Sequence, residues 1–349
     1  MANEQFTVID DGRAVELAAQ VVDDSVRLTP AALRAGLGWE LKPAGLCRGA
    51  LCVPVRDGAG LVVDGAIDLA AFARVLQRPF VLDVTERVAA LGVAADERAA
   101  QLATLEAPEF ELPDLDGRRH ALSQQRGKKV LLVAYASWCG CRYDLPAWQA
   151  LHEELEDEGF TVITVALDKS ADDARPFIEA AQPTHPSLVD SDHRLADLYG
   201  MINVPTAVWI DEEGRIARPN EVAFGNDMFK ELTNFESAAY LDAVRAWVRE
   251  GRLPFDRSAA RQHQMLPNAD EQLARTEFAV AWHLHQRGRT EAAVRHFARA
   301  GELSPNDWTI RRAAMPIMGI DPMTSPQFLA LFQEWTDRGR PYYTPRPAG

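Results

Sequence analysis

Residues 129–146 read KVLLVAYASWCGCRYDLP, and this stretch decides the fold class. Its first eight residues form a continuous apolar run of strand length, which is typical of a central strand covered on both faces. A helical pattern begins at Leu145, so Cys139 and Cys141 lie where a strand ends and a helix starts. Unpaired backbone N–H groups at a helix start stabilise an anion and favour the reactive thiolate. The stretch therefore predicts a nucleophilic thiol in an α/β domain.

The segments on either side complete a small α/β sandwich. Upstream, EFELPDLDGRRHAL alternates around an Asp116-Gly117 turn and predicts a β-hairpin. Downstream, the pattern predicts a helix over 145–158, a buried strand over 160–168, a helix over 170–182, two strands over 204–219 and a closing amphipathic helix over 237–251. This order predicts one sheet with helices packed on both sides.

The length of 349 residues favours two or three domains, and we predict three. Residues 1–105 are predicted to form a small α+β domain that ends in a helical connector over 85–105. Residues 106–252 form the central α/β domain. After Pro254 the strand patterns stop, so 253–349 is predicted to be an all-α region.

Composition and charge narrow the classes of partner. With 51 acidic and 37 basic residues, a formal charge of −14 repels phosphate backbones and anionic membranes, so neither nucleic acid nor a membrane is a predicted partner. The chain begins without a basic, apolar leader pattern and contains no long apolar stretch, from which we predict a cytoplasmic protein. No glycine-rich phosphate loop occurs, so no organic cofactor is predicted.

The residues around Cys139 resemble those of the thioredoxin-like redoxins, in particular the thiol-disulfide reductase branch related to cytochrome-maturation proteins. The resemblance runs from about Ala107 to Gly251 and lies in the ASWC approach, Arg142, Pro146 and the run GMINVPT at 200–206. It implies a thioredoxin-like central domain. It also implies that Pro205 is cis and faces the active-site sulfurs, and that Trp138 flanks the nucleophile.

One departure from that family concerns the spacing of the two thiols. The family has two residues between its cysteines, whereas this chain has only Gly140. By alignment on Pro146, Cys139 is the predicted nucleophile and Cys141 the resolving thiol. A disulfide across one residue is expected to be strained and oxidising, with glycine supplying unusual backbone angles. If that ring does not close, Cys139 works as a monothiol.

Cys47 and Cys52 form a second close pair. Four intervening residues with a glycine could let the sulfurs meet, which would give a second redox pair that exchanges with Cys139. The alternative, which we favour on grounds of compartment, is two unpaired thiols kept reduced in the cytosol. Neither pair has the further His or Cys ligands that a tetrahedral metal site needs, so no metal is predicted.

Residues 271–304 resemble one tetratricopeptide unit, with Ala281, Ala293, Phe297 and Ala300 at packing positions and Pro305 as terminator. A lone helical hairpin cannot bury its apolar face. We therefore expect it to dock on the central domain, or to mediate self-association or binding of a protein partner.

The leading functional hypothesis is a thiol-disulfide oxidoreductase that acts on protein or small-molecule disulfides and is reset by an external thiol donor. One alternative is a peroxiredoxin-like peroxidase, although Ala136 and Trp138 stand where such enzymes carry Thr or Ser three residues before the cysteine. A second alternative is a redox-responsive adaptor without turnover.

Overall fold

The structure, a computed structural model, describes residues 4–56 and 60–339. Its strands are β1 (Glu4–Asp10), β2 (Arg13–Val22), β3 (Ser25–Leu28), β4 (Glu40–Lys42), β5 (Gly45–Arg48), β6 (Leu51–Val53), β7 (Val62–Val63), β8 (Ala66–Asp68), β9 (Phe80–Asp83), β10 (Val88–Leu91), β11 (Glu111–Pro113), β12 (Arg119–Ala121), β13 (Lys129–Tyr135), β14 (Phe160–Ala166), β15 (Ser187–Val189), β16 (Thr206–Ile210) and β17 (Ile216–Glu221).

The α-helices are α1 (Pro30–Leu37), α2 (Leu69–Val75), α3 (Ala95–Ala103), α4 (Leu145–Leu155), α5 (Ala171–Ala181), α6 (Arg194–Tyr199), α7 (Lys230–Thr233), α8 (Ser237–Glu250), α9 (Arg257–His263), α10 (Ala269–Gln286), α11 (Thr290–Leu303), α12 (Trp308–Ile317) and α13 (Pro326–Asp337). Among residues 4–56 and 60–339, no helix combines the length and the apolar composition that a membrane span requires.

The chain forms two compact units, each built from two segments. The first comprises the described residues of Met1–Glu97 and Pro267–Ser304, and the second those of Arg98–Leu266 and Pro305–Gly349. The sequence instead predicted three successive domains, 1–105, 106–252 and 253–349, and their independence stays a prediction. The last ten residues of the predicted helical region, 340–349, lie outside the described residues.

The first unit contains a seven-stranded sheet in the order β7-β8-β3-β2-β1-β10-β9. Its strand β10 lies parallel to β1, with Val88 opposite Thr7. The sequence placed this strand inside a helical connector over 85–105, and that prediction is wrong for Val88–Leu91. The alanine-rich segment has helical composition, but all four of its residues are buried as a strand, because a distant partner overrides local propensity.

Helices α10 and α11 pack as a hairpin within the first unit. Asn268 and Glu271 form a capping box at the start of α10, and Gly288 turns the chain in the left-handed region with a φ of 71°. The hairpin packs on β9 and β10 of the first unit, a contact that the sequence did not indicate, while docking on the central domain and self-association stay predictions. The helical hairpin was predicted correctly, whereas its relation to the tetratricopeptide family stays a prediction.

The second unit is built on a five-stranded sheet in the order β15-β14-β13-β16-β17. Strand β13 pairs in parallel with β14 and antiparallel with β16. Every residue of β14 is buried, as expected for a strand covered on both faces. The predicted order of strand, helix, strand, helix, hairpin and closing helix is therefore present, and it brings the carboxyl end of β13 to one edge of the sheet.

Helices α12 and α13, here called the cap helices, belong to this second unit. The backbone N–H of Trp308 donates to the carbonyl of Ile202 over 2.8 Å, and the Thr309 hydroxyl donates to the carbonyl of Met201 over 3.1 Å. Trp308 and Trp335 join the two helices edge to face, with ring centroids 5.2 Å apart. These contacts fix α12 against the loop that leads to β16.

Candidate active site

Cys139 and Cys141 lie between β13 and α4. Cys139 precedes a 3-10 turn, Gly140–Asp144, and its sulfur accepts from the backbone N–H of Cys141 over 3.5 Å. The Cys139 thiol donates to the carbonyl of Val204 over 3.6 Å. Both thiols are free and buried, with Cys139 6% and Cys141 1% exposed. The predicted thiol thus sits at a helical turn with a backbone N–H directed at its sulfur.

Pro205 and Trp138 both lie close to this pair of cysteines. The Val204–Pro205 peptide is cis, and Pro205 lines the same cavity as the two cysteines. The Trp138 indole N–H donates to the carbonyl of Leu167 over 3.1 Å. The structure therefore brings together the four residues that the sequence proposed for the site, Trp138, Cys139, Cys141 and Pro205.

The pKa values of the two thiols are shifted in opposite directions. A hydrogen bond from Cys141 and the positive charge of Arg312 together lower the pKa of Cys139 to about 6, against the opposing effect of burial. Burial raises the pKa of Cys141 well above its ordinary value, and its hydrogen bond to Cys139 and the charge there add to this. One sulfur is therefore a thiolate near neutral pH while the other holds its proton.

Sequence reasoning missed Arg312, which lies on α12. Its Nε donates to the carbonyl of Pro322 over 2.8 Å, and its Nη2 lies 3.4 Å from the carbonyl of Trp138, 174 residues away in sequence. The guanidinium also stacks over the rings of Trp138 and Phe328, at 5.4 and 4.6 Å. A cation on a helix outside the predicted redox domain carries no sequence signal that links it to the thiols.

Two buried carboxyl groups lie near the thiols. Burial raises the pKa of Asp144 to about 7, although Oδ1 accepts from the backbone N–H groups of Gly225 and Asn226. Its Oδ2 is buried without a hydrogen-bond partner among the described residues. Burial likewise raises the pKa of Asp168 to about 6, while this carboxylate accepts from Ser137. No proton acceptor was identified from the sequence, although Asp144, three positions after Cys141, is close enough in the chain to be a candidate.

Gly140 lies beneath an aromatic ring. A Cβ on this residue would lie 2.2 Å from Cζ of Phe229, and Gly140 does not have a positive φ. With the two thiols reduced, glycine is therefore not required by its backbone angle, and its expected role in a closed Cys139–Cys141 ring stays a prediction. Close approach of the Phe229 ring to the backbone between the two cysteines is what requires glycine at this position.

A cavity of about 600 Å³ opens beside Cys139. Its wall comes from the cysteine turn, the loop before β16, the segment after β17 and the cap helices; the lining residues are Cys139, Gly140, Cys141, Asn203, Val204, Pro205, Val222, Phe224, Phe229, Thr233, Phe235, Trp308, Arg312, Met323, Phe328, Leu329, Phe332 and Trp335. Within the described residues, no cluster of three or more His, Cys, Asp or Glu side chains could hold a metal.

Cys47 and Cys52 form a disulfide in the first unit. The favoured prediction of two unpaired thiols is therefore wrong. Strands β5 and β6 pair with Cys47 directly opposite Cys52, which puts both side chains on the same face of the hairpin. The prediction weighed the redox state of a compartment, whereas strand register decides whether the sulfurs meet. Exchange of this pair with Cys139 stays a prediction.

Comparison with known proteins identifies relatives of the second unit. Residues 103–218 match the AhpC/TSA family. The chain is 36% identical over 115 residues to the thioredoxin-like protein YneN of Bacillus subtilis (strain 168), covering 32% of this chain and 66% of that protein. It is 29% identical over 123 residues to the thiol-disulfide oxidoreductase ResA of Geobacillus thermodenitrificans (strain NG80-2), covering 35% and 71%.

Among solved structures, the exposed lipoprotein thioredoxin Etrx1 of Streptococcus pneumoniae strain TIGR4 is similar. It matches with 30% identity and a TM-score of 0.33, covering 39% of this chain and 98% of that one. The chain spans about two thirds of the length of YneN. The family match ends at residue 218, before the segments 222–235 and 308–335, which together supply most of the cavity wall.

Proposed function

Because residues 103–218 form a thioredoxin-like redoxin domain of the thiol-disulfide oxidoreductase class, we propose that Cys139 is its nucleophile and Cys141 its resolving thiol. The substrates are disulfides, and an external thiol donor returns the pair to the reduced state. The observation that carries this proposal is the opposite acidity of two adjacent thiols, with Cys139 facing the carbonyl that precedes Pro205.

In the first step the Cys139 thiolate attacks one sulfur of the substrate disulfide. A bond forms between Cys139 and that sulfur, and the substrate disulfide breaks to release its other half as a thiolate. The depressed pKa of Cys139 supplies the thiolate near neutral pH. Pro205 and Val204 form the opposite wall, so the attacked disulfide lies between the cysteine turn and the cis peptide.

In the second step Cys141 loses its proton and attacks the sulfur of Cys139. A Cys139–Cys141 disulfide forms and the second half of the substrate leaves as a thiolate. Asp144 is the proton acceptor in this proposal, since its pKa of about 7 suits proton transfer near neutral pH and one oxygen is unpartnered. A dithiol donor then reduces the bridge by two successive exchanges and is itself oxidised to its disulfide.

Arg312 acts on the nucleophile in this scheme. Its guanidinium is held by the carbonyls of Trp138 and Pro322 and by aromatic rings, and its charge lowers the pKa of Cys139. A positive charge favours the thiolate over the thiol. The cap helix α12 thus contributes to a site whose cysteines lie in the redoxin domain.

Trapping of the intermediate tests the proposal. The Cys141→Ser variant, mixed with a disulfide and analysed by peptide mass spectrometry, should accumulate a mixed disulfide on Cys139. The wild type should instead yield the Cys139–Cys141 bridge and free substrate thiol. If the Cys139→Ser variant retains full turnover, the proposal is wrong; if the wild type turns over but never forms the bridge, Cys139 acts as a monothiol and the role of Cys141 is wrong.

A further inference from the structure

The cavity beside Cys139 has an apolar wall. Four aromatic side chains of the cap helices line it, Trp308, Phe328, Phe332 and Trp335, and three more come from the segment after β17, Phe224, Phe229 and Phe235. Arg312 is the one charged side chain among the described lining residues other than the thiols. A surface of this composition binds apolar groups. It disfavours charged groups, because a charge that moves from water into the cavity would have no partner there.

Arg312 does not convert the cavity into an anion site. Its Nε donates to Pro322, its Nη2 contacts the Trp138 carbonyl, and the guanidinium lies over the Phe328 ring. The positive charge of Arg312 is thus balanced within the protein by these contacts and by the neighbouring thiolate of Cys139. The formal charge of −14 on the chain further repels anionic disulfides.

Size and access restrict the ligand as well. Cys139 is only 6% exposed, so a disulfide must enter the cavity to reach its sulfur. Leu329 is 57% exposed and lines the cavity, which shows that the cavity reaches the surface beside α13. A cavity volume of about 600 Å³ is in the range of small-molecule sites. A folded protein is too large to bring a disulfide on its surface into this cavity.

We propose that this cavity selects small, uncharged, apolar disulfides as substrates, one arm of which lies against the aromatic side chains of the cap helices. The proposal rests on the proposed function, because the disulfide reacts at Cys139. Most of the cavity wall lies outside residues 103–218, the segment matched to the AhpC/TSA family. The selectivity is therefore a property of this chain's own C-terminal segments.

Two isosteric disulfides measure the selectivity. Dipropyl disulfide and bis(2-hydroxyethyl) disulfide differ by a methyl in place of a hydroxyl on each arm, and each rate is divided by that of the same disulfide with free dithiothreitol. We expect a normalised kcat/KM about tenfold to a hundredfold higher for dipropyl disulfide, the discrimination typical of an apolar pocket against an added hydroxyl. Glutathione disulfide should be slower still.

The Leu329→Gln variant should lower the preference for dipropyl disulfide, since it adds a polar group to the cavity wall at an exposed position that tolerates it. Leu253→Gln is the matched control, because Leu253 is 37% exposed and lies outside the cavity lining. This control should keep the wild-type ratio. An equal loss in both variants would contradict the assignment of selectivity to the cavity.

A binding measurement separates this proposal from the proposed function. The uncharged fluorophore N-phenyl-1-naphthylamine should bind the Cys139→Ser protein with a Kd in the micromolar range, about 10⁻⁵ M, as an apolar pocket of this size permits. Binding of the fluorophore by Cys139→Ser, together with no turnover of any disulfide by the wild type, overturns the proposed function. Equal normalised rates for the isosteric pair, faster reduction of insulin than of dipropyl disulfide, or no binding of the fluorophore overturns the substrate class alone.

Discussion

The two cysteine pairs of this protein differ in what surrounds them. Cys47 and Cys52 face each other across a hairpin and are joined, whereas Cys139 and Cys141 are free at the start of a helical turn. In the hairpin, strand pairing brings the two side chains together, and both sulfurs are bonded to each other, so neither is a free thiol. In the turn, a backbone N–H, a neighbouring thiol and a buried cation stabilise one thiolate.

The comparison shows that two cysteines lying close together do not by themselves form a redox pair. A pair that turns over needs one thiol with a low pKa, a second with a high pKa and a nearby group that removes the second proton. Cys139, Cys141 and Asp144 meet these three conditions in our proposal. The hairpin pair is expected to be structural, and variants at Cys139, Asp144, Arg312 and the hairpin pair test the contrast.

Loss of the nucleophile should have the largest effect. Cys139→Ser is expected to lower turnover of dipropyl disulfide by more than about 10³-fold, because a serine hydroxyl provides no comparable anion near neutral pH. Steady-state assays with dithiothreitol as donor measure the loss. Circular dichroism of the variant controls for folding, and residual turnover above a tenth of the wild-type value would show that another thiol carries the reaction.

Asp144→Asn should slow the second step. The amide cannot accept the Cys141 proton, so release of the second substrate thiol from the mixed disulfide should fall by at least about tenfold at pH 7.5. In the wild type this step should accelerate as pH rises through about 7, where Asp144 loses its proton. Stopped-flow rates across pH 6 to 8.5 check both points, and an unchanged pH profile would remove Asp144 from the scheme.

Arg312→Met should move the acidity of Cys139. Loss of the cation raises the thiol pKa, so the midpoint of the curve of alkylation rate against pH should rise by about one pH unit. The alkylation rate of Cys139 in the variant should then fall below that of the wild type under pH 7, by about threefold at pH 6.5. Above pH 9 the two rates should agree, because Cys139 is a thiolate in both proteins. Arg312→Lys keeps the charge and should retain most of the wild-type midpoint; an identical shift in both variants would point to altered packing.

Removal of the hairpin disulfide should have the smallest effect on turnover. The Cys47→Ala, Cys52→Ala double variant is expected to keep turnover within about twofold. Because the disulfide closes only a short loop, its removal should lower the local stability of the hairpin by about 2 kcal/mol. Amides of β5 should then exchange hydrogen about 30-fold faster. A large loss of turnover would instead make Cys47 and Cys52 partners in exchange with Cys139.

Much of the second unit was predictable from sequence because its signals are local. The apolar run of β13, the helix that follows it and the position of Cys139 all come from adjacent residues. The strand at Val88 was mispredicted because it depends on pairing with β1, about 80 residues away in sequence. The Cys47–Cys52 bond is local, and it was missed because the redox state of the compartment was weighed above the register of a short hairpin. Arg312 was missed for the same reason as the strand at Val88, since helix α12 lies far from the cysteine turn in sequence and contacts it only in the folded chain.

The most direct test of this account is the rate of alkylation of each thiol in the reduced wild-type protein as a function of pH, resolved by peptide mass spectrometry. We expect half-maximal modification of Cys139 near pH 6, with Cys141 protected until well above pH 9. A Cys139 that titrates like a free cysteine, or a Cys141 that is modified first, would contradict the assignment of nucleophile and resolving thiol.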